Sequence, residues 1–189
     1  MASRIDQLIA GRASCPRLEA PAPSDEQLEA LLQAAVCAPD HGLLRPWRFI
    51  PVTGEQRDRL GKLMLASCLA EQPQLSEAAQ LKLRQAPLRA PMVLLVVAEV
   101  QPDHKVSVID QIMACAAAVQ NLLLQAHAMG IGAMWRTGPA ALSNTLKRKL
   151  GFQDKDEIVG FVYLGSASGG NRQLPDLPPL ADFVRGLPQ

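Results

Sequence analysis

The run IMACAAAVQNLLLQAHAMG at positions 112–130 limits this chain's fold more than any other stretch. It is long and apolar enough to cross a bilayer, but it carries Gln120, Asn121, Gln125 and His127, whose amides and imidazole are costly in lipid. The pattern predicts a helix from Ile109 to about Met129, apolar on most sides, and such a helix is expected to be covered by protein all round. The chain of 189 residues, 48% hydrophobic, suits one domain, 1–189, able to bury roughly 70% of its unfolded surface. The helix then belongs at the centre of a layered core, with no membrane association expected.

Elements to cover it are readable on both sides. PSDEQLEALLQAAVCAPD predicts a helix capped by Ser24 and stopped by Pro39, with Leu28, Leu31, Leu32 and Ala35 at helical spacing. A short amphipathic segment precedes it, ending near Gly11. WRFIPVTG reads as a strand, and EQRDRLGKLMLASCLAEQ and SEAAQLKLRQA as further helices. PMVLLVVAEV and EIVGFVYLG are nearly unbroken apolar runs, the mark of strands covered on both faces. PAALSNTLKRKLG predicts one helix stopped by Gly151, and the proline-rich tail from Ser166 onward an extended arm. The sum is an α+β layered domain whose spare arm suits wrapping around a partner subunit.

Charge and cysteine usage exclude several functions. A net charge of +1 provides no broad basic field for a polyanion, so nucleic acid is not an expected partner and any anion site must be local. Cys15, Cys37, Cys68 and Cys115 have no paired spacing, which argues against a disulfide framework or a zinc ribbon. With no secretory leader pattern in MASRIDQLIAGRAS, a reducing cytoplasm is the expected location.

Four patches carry candidate chemistry. GRAS, residues 11–14, places the Arg12 guanidinium and Ser14 hydroxyl where a phosphate would accept bonds, although on this patch alone a solvated arginine at a helix end is the simpler explanation of Arg12. CAPDHGLLRPWRF, residues 37–49, sets His41 in an irregular loop. Cys37 and His41 suggest a hydrolase nucleophile and base, and Cys37, His41, His104 and His127 a zinc site, but no orienting third group and no metal-ligand spacing supports either. MGIGAMWRTG, residues 129–138, lacks the strand–glycine–helix order of a dinucleotide loop; it offers a turn with close backbone approach, Arg136 and Thr137 as donors, and Trp135 as an apolar wall. GGNR, with Arg172, lies in the tail.

Taken together, GRAS, APDHGLLRPWRF, the alanine-rich helix, GAMWRTG and GFVYLG resemble the FMN-dependent nitroreductase family, in particular its small single-domain branch. The resemblance implies a central, mainly antiparallel sheet flanked by helices, and a homodimer with FMN at the subunit interface. It further implies ping-pong two-electron transfer from NADH or NADPH to nitroaromatics, quinones or related small electrophiles. Carried over motif by motif, it assigns FMN contacts to Arg12, Ala13 through its backbone, Ser14, His41, Trp135, Arg136 and Thr137, with no catalytic side chain and no metal. Three positions depart from the family pattern: Ala13 and Cys37 where an Arg is common, and Arg45 where Gln is frequent. The two missing cations leave room for an alternative, a flavin-binding carrier or sensor with little turnover.

Overall fold

The computed structural model describes residues 3–167 and 178–187. Helix α1 (Arg4–Gly11) starts at a reciprocal cap: Asp6 N–H donates to the Ser3 hydroxyl and Ser3 N–H donates to Asp6. The chain extends through β1 (Leu18–Glu19), then enters α2 (Asp25–Val36), where Ser24 and Gln27 repeat the same capping box. Strand β2 (Trp47–Thr53) leads to α3 (Gln56–Glu71) and α4 (Glu77–Gln85), which tightens into a 3₁₀ turn at Ala86–Arg89. Strand β3 (Met92–Ala98), helix α5 (Val108–Ala128), strand β4 (Gly132–Arg136), helices α6 (Pro139–Leu142) and α7 (Asn144–Lys149), and strand β5 (Glu157–Ala167) follow.

All pairings are antiparallel. Strand β3 lies between β2 and β5, and the far edge of β5 carries β4 and β1. Every residue of β3 is buried, so both faces are covered, as its unbroken apolar run predicts. Its two faces feed two cores. Met92, Leu94 and Val96 pack with Leu31 of α2 and Ala118 and Leu122 of α5. Val93, Leu95 and Val97 pack with Leu60 and Met64 of α3, Leu83 of α4 and Leu146 of α7. This is the helix–sheet–helix sandwich expected for an α+β chain with a long hydrophobic helix.

Three local expectations change. Helix α5 is not covered on all sides by its own chain, because Ile109 and Met113 are 67% and 57% exposed. The single helix expected over PAALSNTLKRKLG is two, broken at Ser143, whose backbone leaves the helical region so that its hydroxyl caps α7 at Leu146 N–H. The turn expected in MGIGAMWRTG is shorter than that stretch: GAMWR is β4, in register with β5, and the turn begins at Thr137. The described part of the arm, residues 178–187, is exposed throughout, including Leu180, Phe183 and Val184. Arg172 and GGNR lie outside the described residues.

Candidate active site

The glycines of MGIGAMWRTG divide their work. Gly130, at φ 71°, ends α5: its N–H donates to His127 O and Ile131 N–H donates back to Ala126 O, the paired bonds of a left-handed helix stop. Gly132 lets β4 approach its neighbours, since a Cβ there would lie 2.5 Å from Leu18 and 3.0 Å from Gly165 O. Gly138, at φ 135°, faces open space at the end of the strand. The backbone available to a ligand is therefore that of the Thr137–Gly138 turn.

Because β4 is a strand, successive side chains point to opposite faces. Trp135 goes to the α2/α5 face, where it packs in the core, and its indole N–H donates to Val159 O at 3.2 Å. Met134 packs in the opposite core, and Arg136 shares that face. Strand register sets Arg136 opposite Phe161 and Met134 opposite Tyr163, so Arg136 and Tyr163 are diagonal neighbours. The guanidinium accordingly stacks over the phenol ring.

Arg136, Thr137 and Gly138 line a cavity of about 390 Å³ between β4–α6 and the α3–α4 layer. Its floor is apolar, with Met64, Leu83 and Phe161, and Lys82 and Arg89 join Arg136 on its walls. No carboxylate lines it, and none of these three cations has a salt-bridge partner among the described residues. Tyr163, 4% exposed, also lines the cavity, and its hydroxyl has no hydrogen-bond partner among the described residues. Burial pushes its phenol up, opposed in part by Arg136 and Arg89, so it is a neutral donor at ordinary pH.

The GRAS segment reaches the same place from the other side. Cys15 N–H donates to Ala133 O at 2.8 Å, tying the chain after Ser14 to β4. Cys15 and Pro16 then share a small adjoining cleft with Arg89, Arg136 and Tyr163. Arg12 and Ala13 are half-buried and Ser14 is exposed beside this junction. The structure thus brings Cys15 and Pro16, next to Ser14, against Arg136, and sets Arg136 and Thr137 on one cavity, with Trp135 anchoring the strand from behind; Arg12 and Ala13 lie further back, toward the end of α5 that Gly11 meets.

His41 is elsewhere. It begins the 3₁₀ turn His41–Leu43, held by Arg45 N–H donating to Asp40 at 2.6 Å, in a loop where Leu43 and Arg45 take φ of 54° and 49°. Strain of this kind in non-glycine residues needs support from its surroundings and is common at ligand sites. The loop lies at the start of α5, where Gly42 meets Val106, whereas Gly11 meets His127 at the end of α5. The 21 residues of α5 separate these points by about 30 Å. One chain therefore does not bring His41 to Arg12.

The competing readings find no assembly. Cys37 is exposed, its thiol donating to Gln33 O, and no hydrogen bond joins it to His41. No three potential metal ligands come together among the described residues. Cys115, whose thiol senses that loop's Asp40, is buried and pushed up to about 12 by desolvation, which makes it inert.

Lys82, Arg89 and Tyr163 escaped sequence reading because no motif contains the first two, and Tyr163 read only as part of a buried strand. Alternation along GFVYLG against AMWRT places Tyr163 beside Arg136 once the two stretches are known to pair, and the sequence carries no signal of that pairing.

Comparison with known proteins gives the family. The Nitroreductase family model matches residues 9–166. "Putative NAD(P)H nitroreductase YdjA" of Escherichia coli (strain K12) is 35% identical over 180 residues, 94% of this chain and 97% of that protein. Among solved structures, a nitroreductase-like family protein from Bacillus cereus superimposes with a TM-score of 0.83 at 22% identity, covering 99% of this chain and 97% of that one. A nitroreductase with bound FMN from Desulfitobacterium hafniense DCB-2 gives a TM-score of 0.70 at 24% identity, covering 99% and 100%. With the family model spanning most of the chain and a relative of this identity along nearly its whole length, the chain belongs to the nitroreductase family of oxidoreductases.

Proposed function

We propose that this chain is an FMN-dependent NAD(P)H oxidoreductase that works as a homodimer on nitroaromatics, quinones or related small electrophiles. The observation that carries this reading is the cavity at the β4–α6 turn: an apolar floor, the Arg136 guanidinium without a balancing carboxylate, and a buried phenol without a partner among the described residues. That donor set fits FMN, which combines a flat, hydrogen-bonding ring with a dianionic phosphate. Arg12, the Ala13 backbone and Ser14 hold the phosphate and ribityl side, and Arg136, Thr137 and the open Gly138 backbone hold the ring side. Trp135 acts through the strand it anchors. When bound, FMN supplies two-electron redox chemistry between NADH or NADPH and the acceptor.

The chain's own residues bind and orient. Arg136 brings a planar, permanently charged donor to a largely apolar wall, where low dielectric strengthens its pull on developing negative charge. No side chain is required as nucleophile or general base.

The homodimer is part of the reading because His41 and Arg12 stand about a helix length apart in one chain, so that both reach one FMN only from two copies. In this proposal a second copy docks antiparallel along the whole of α5, whose Ile109 and Met113 are exposed, so that its His41 loop faces the first copy's Arg12 end. The arm, whose Leu180, Phe183 and Val184 are exposed on their own chain, is available to wrap that copy. An absorbance scan of the purified protein, followed by FMN titration of the stripped chain, tests the proposal: yellow protein with saturable FMN binding is expected, and a colourless chain that takes up no FMN contradicts it.

A further inference from the structure

The cavity has two walls of different character. The β4–α6 wall belongs to the residues assigned above to FMN. The opposite wall is built by α4 and Ala86–Arg89, and none of its residues has a part in holding the cofactor. Along α4, Ala79, Lys82, Leu83 and Ala86 recur at i, i+3, i+4 and i+7, so they form one face, and all four line the cavity. Two are alanines, which leave room. One is a charge.

Lys82 and Arg89 are both exposed at the cavity's side, and neither has a salt bridge among the described residues. Neighbouring cations on the same layer behave differently: Arg84 and Lys62 both pair with Asp58. Of these four, Lys82 and Arg89 face the cavity and are left without a carboxylate among the described residues. Two like charges on one cavity wall, beside small apolar side chains, favour a ligand with a flat apolar body and a negative end.

We propose that this wall selects a flat aromatic acceptor bearing an ionised carboxylate or sulfonate, with Lys82 and Arg89 as its specificity-determining residues. The inference rests on the oxidoreductase reading, because that reading is what makes the ligand an electron acceptor. Lys82, a flexible point charge, and Arg89, a planar fork, hold the acid group at the mouth, and Ala79, Leu83 and Ala86 meet the ring.

Equilibrium dialysis of 4-nitrobenzoate and the neutral 4-nitrobenzyl alcohol, with and without FMN bound, tests it. The FMN-loaded protein should bind the benzoate roughly tenfold more tightly than the alcohol, with the preference weakening as salt is raised. Lys82→Gln combined with Arg89→Gln should bring the ratio close to one, and Lys82→Arg alone should keep most of it. Equal affinities in the wild type, a ratio the double substitution leaves unchanged, or benzoate binding that FMN abolishes would each overturn the proposal. If both rings are reduced with equal affinities, this inference fails and the oxidoreductase reading stands. If benzoate is bound selectively and NAD(P)H is never oxidised, the oxidoreductase reading fails and the anion-selective wall stands.

Discussion

The guanidinium carbon of Arg136 lies 5.7 Å from the centre of the Tyr163 ring. That contact fixes a long side chain on the cavity face of β4 before any ligand arrives, which reduces the ordering cost of binding. Arg136→Ala should weaken FMN binding about ten- to hundredfold, the range for losing a charge-assisted contact. Arg136→Lys should restore only part, since the planar fork and its stacking are lost. FMN titration of each apo-protein measures this, and wild-type affinity in both variants would reduce Arg136 to a structural residue.

Trp135 and Gly160 are coupled by close packing. A Cβ on Gly160 would lie 2.1 Å from the Trp135 indole nitrogen and 2.9 Å from Arg136 O. Gly160→Ala must therefore displace either the indole or β4, and is expected to destabilise the fold by about 2–4 kcal/mol. Trp135→Phe, which keeps an aromatic ring and loses the bond to Val159 O, should cost only about 1 kcal/mol. Urea denaturation with unchanged m-values reads both, and a Gly160→Ala variant as stable as wild type would contradict the packing.

Glu71 carries a pH dependence. Its carboxylate accepts Thr145 N–H at 2.7 Å and the Ser143 hydroxyl at 2.9 Å, bonds that lower it below its ordinary value of 4.5 and clamp α3 to the start of α7. A lowered folded value means that the contribution is full above 4.5 and lost as pH falls through the folded value. The site is well solvated, so Glu71→Gln should cost about 1 kcal/mol or less at neutral pH and flatten the acid limb of the stability curve. Denaturation midpoints across the acid range for both proteins check the difference, and parallel curves would remove the clamp.

The α5 edge tests the dimer. Met113→Glu places a charge where the proposed interface buries a thioether, and should raise the dimer dissociation constant at least about tenfold. Sedimentation at micromolar concentration should show wild-type dimer and a variant shifted toward monomer. A wild-type chain that sediments as a stable, folded monomer contradicts the arrangement.

The sheet and its helices were legible because burial writes itself into runs and periods: β3 and β5 as unbroken apolar stretches, and α2 through Ser24 and the leucine spacing. Strand β4 was less so. Five residues that include Gly and Ala satisfy turn chemistry as readily as strand chemistry, and only pairing with β5 decides between them. That ambiguity hid the opposite orientations of Trp135 and Arg136. The distance between His41 and Arg12 was also invisible, since neither motif records which end of α5 it meets. Lys82 and Arg89 were hidden for a simpler reason. A cation on a solvated helix looks the same in sequence whether it faces water or a cavity.

Whether bound FMN passes electrons from a nicotinamide nucleotide to a small acceptor is decided by one anaerobic titration. NADH and NADPH are added separately to the FMN-loaded protein while the flavin absorbance band is followed, and a nitroaromatic or quinone is then introduced. An FMN-dependent oxidoreductase shows bleaching by at least one nucleotide and full recovery with the acceptor, and that is the expected result. A flavin band that neither nucleotide moves would contradict it and leave a flavin-binding carrier or sensor in its place.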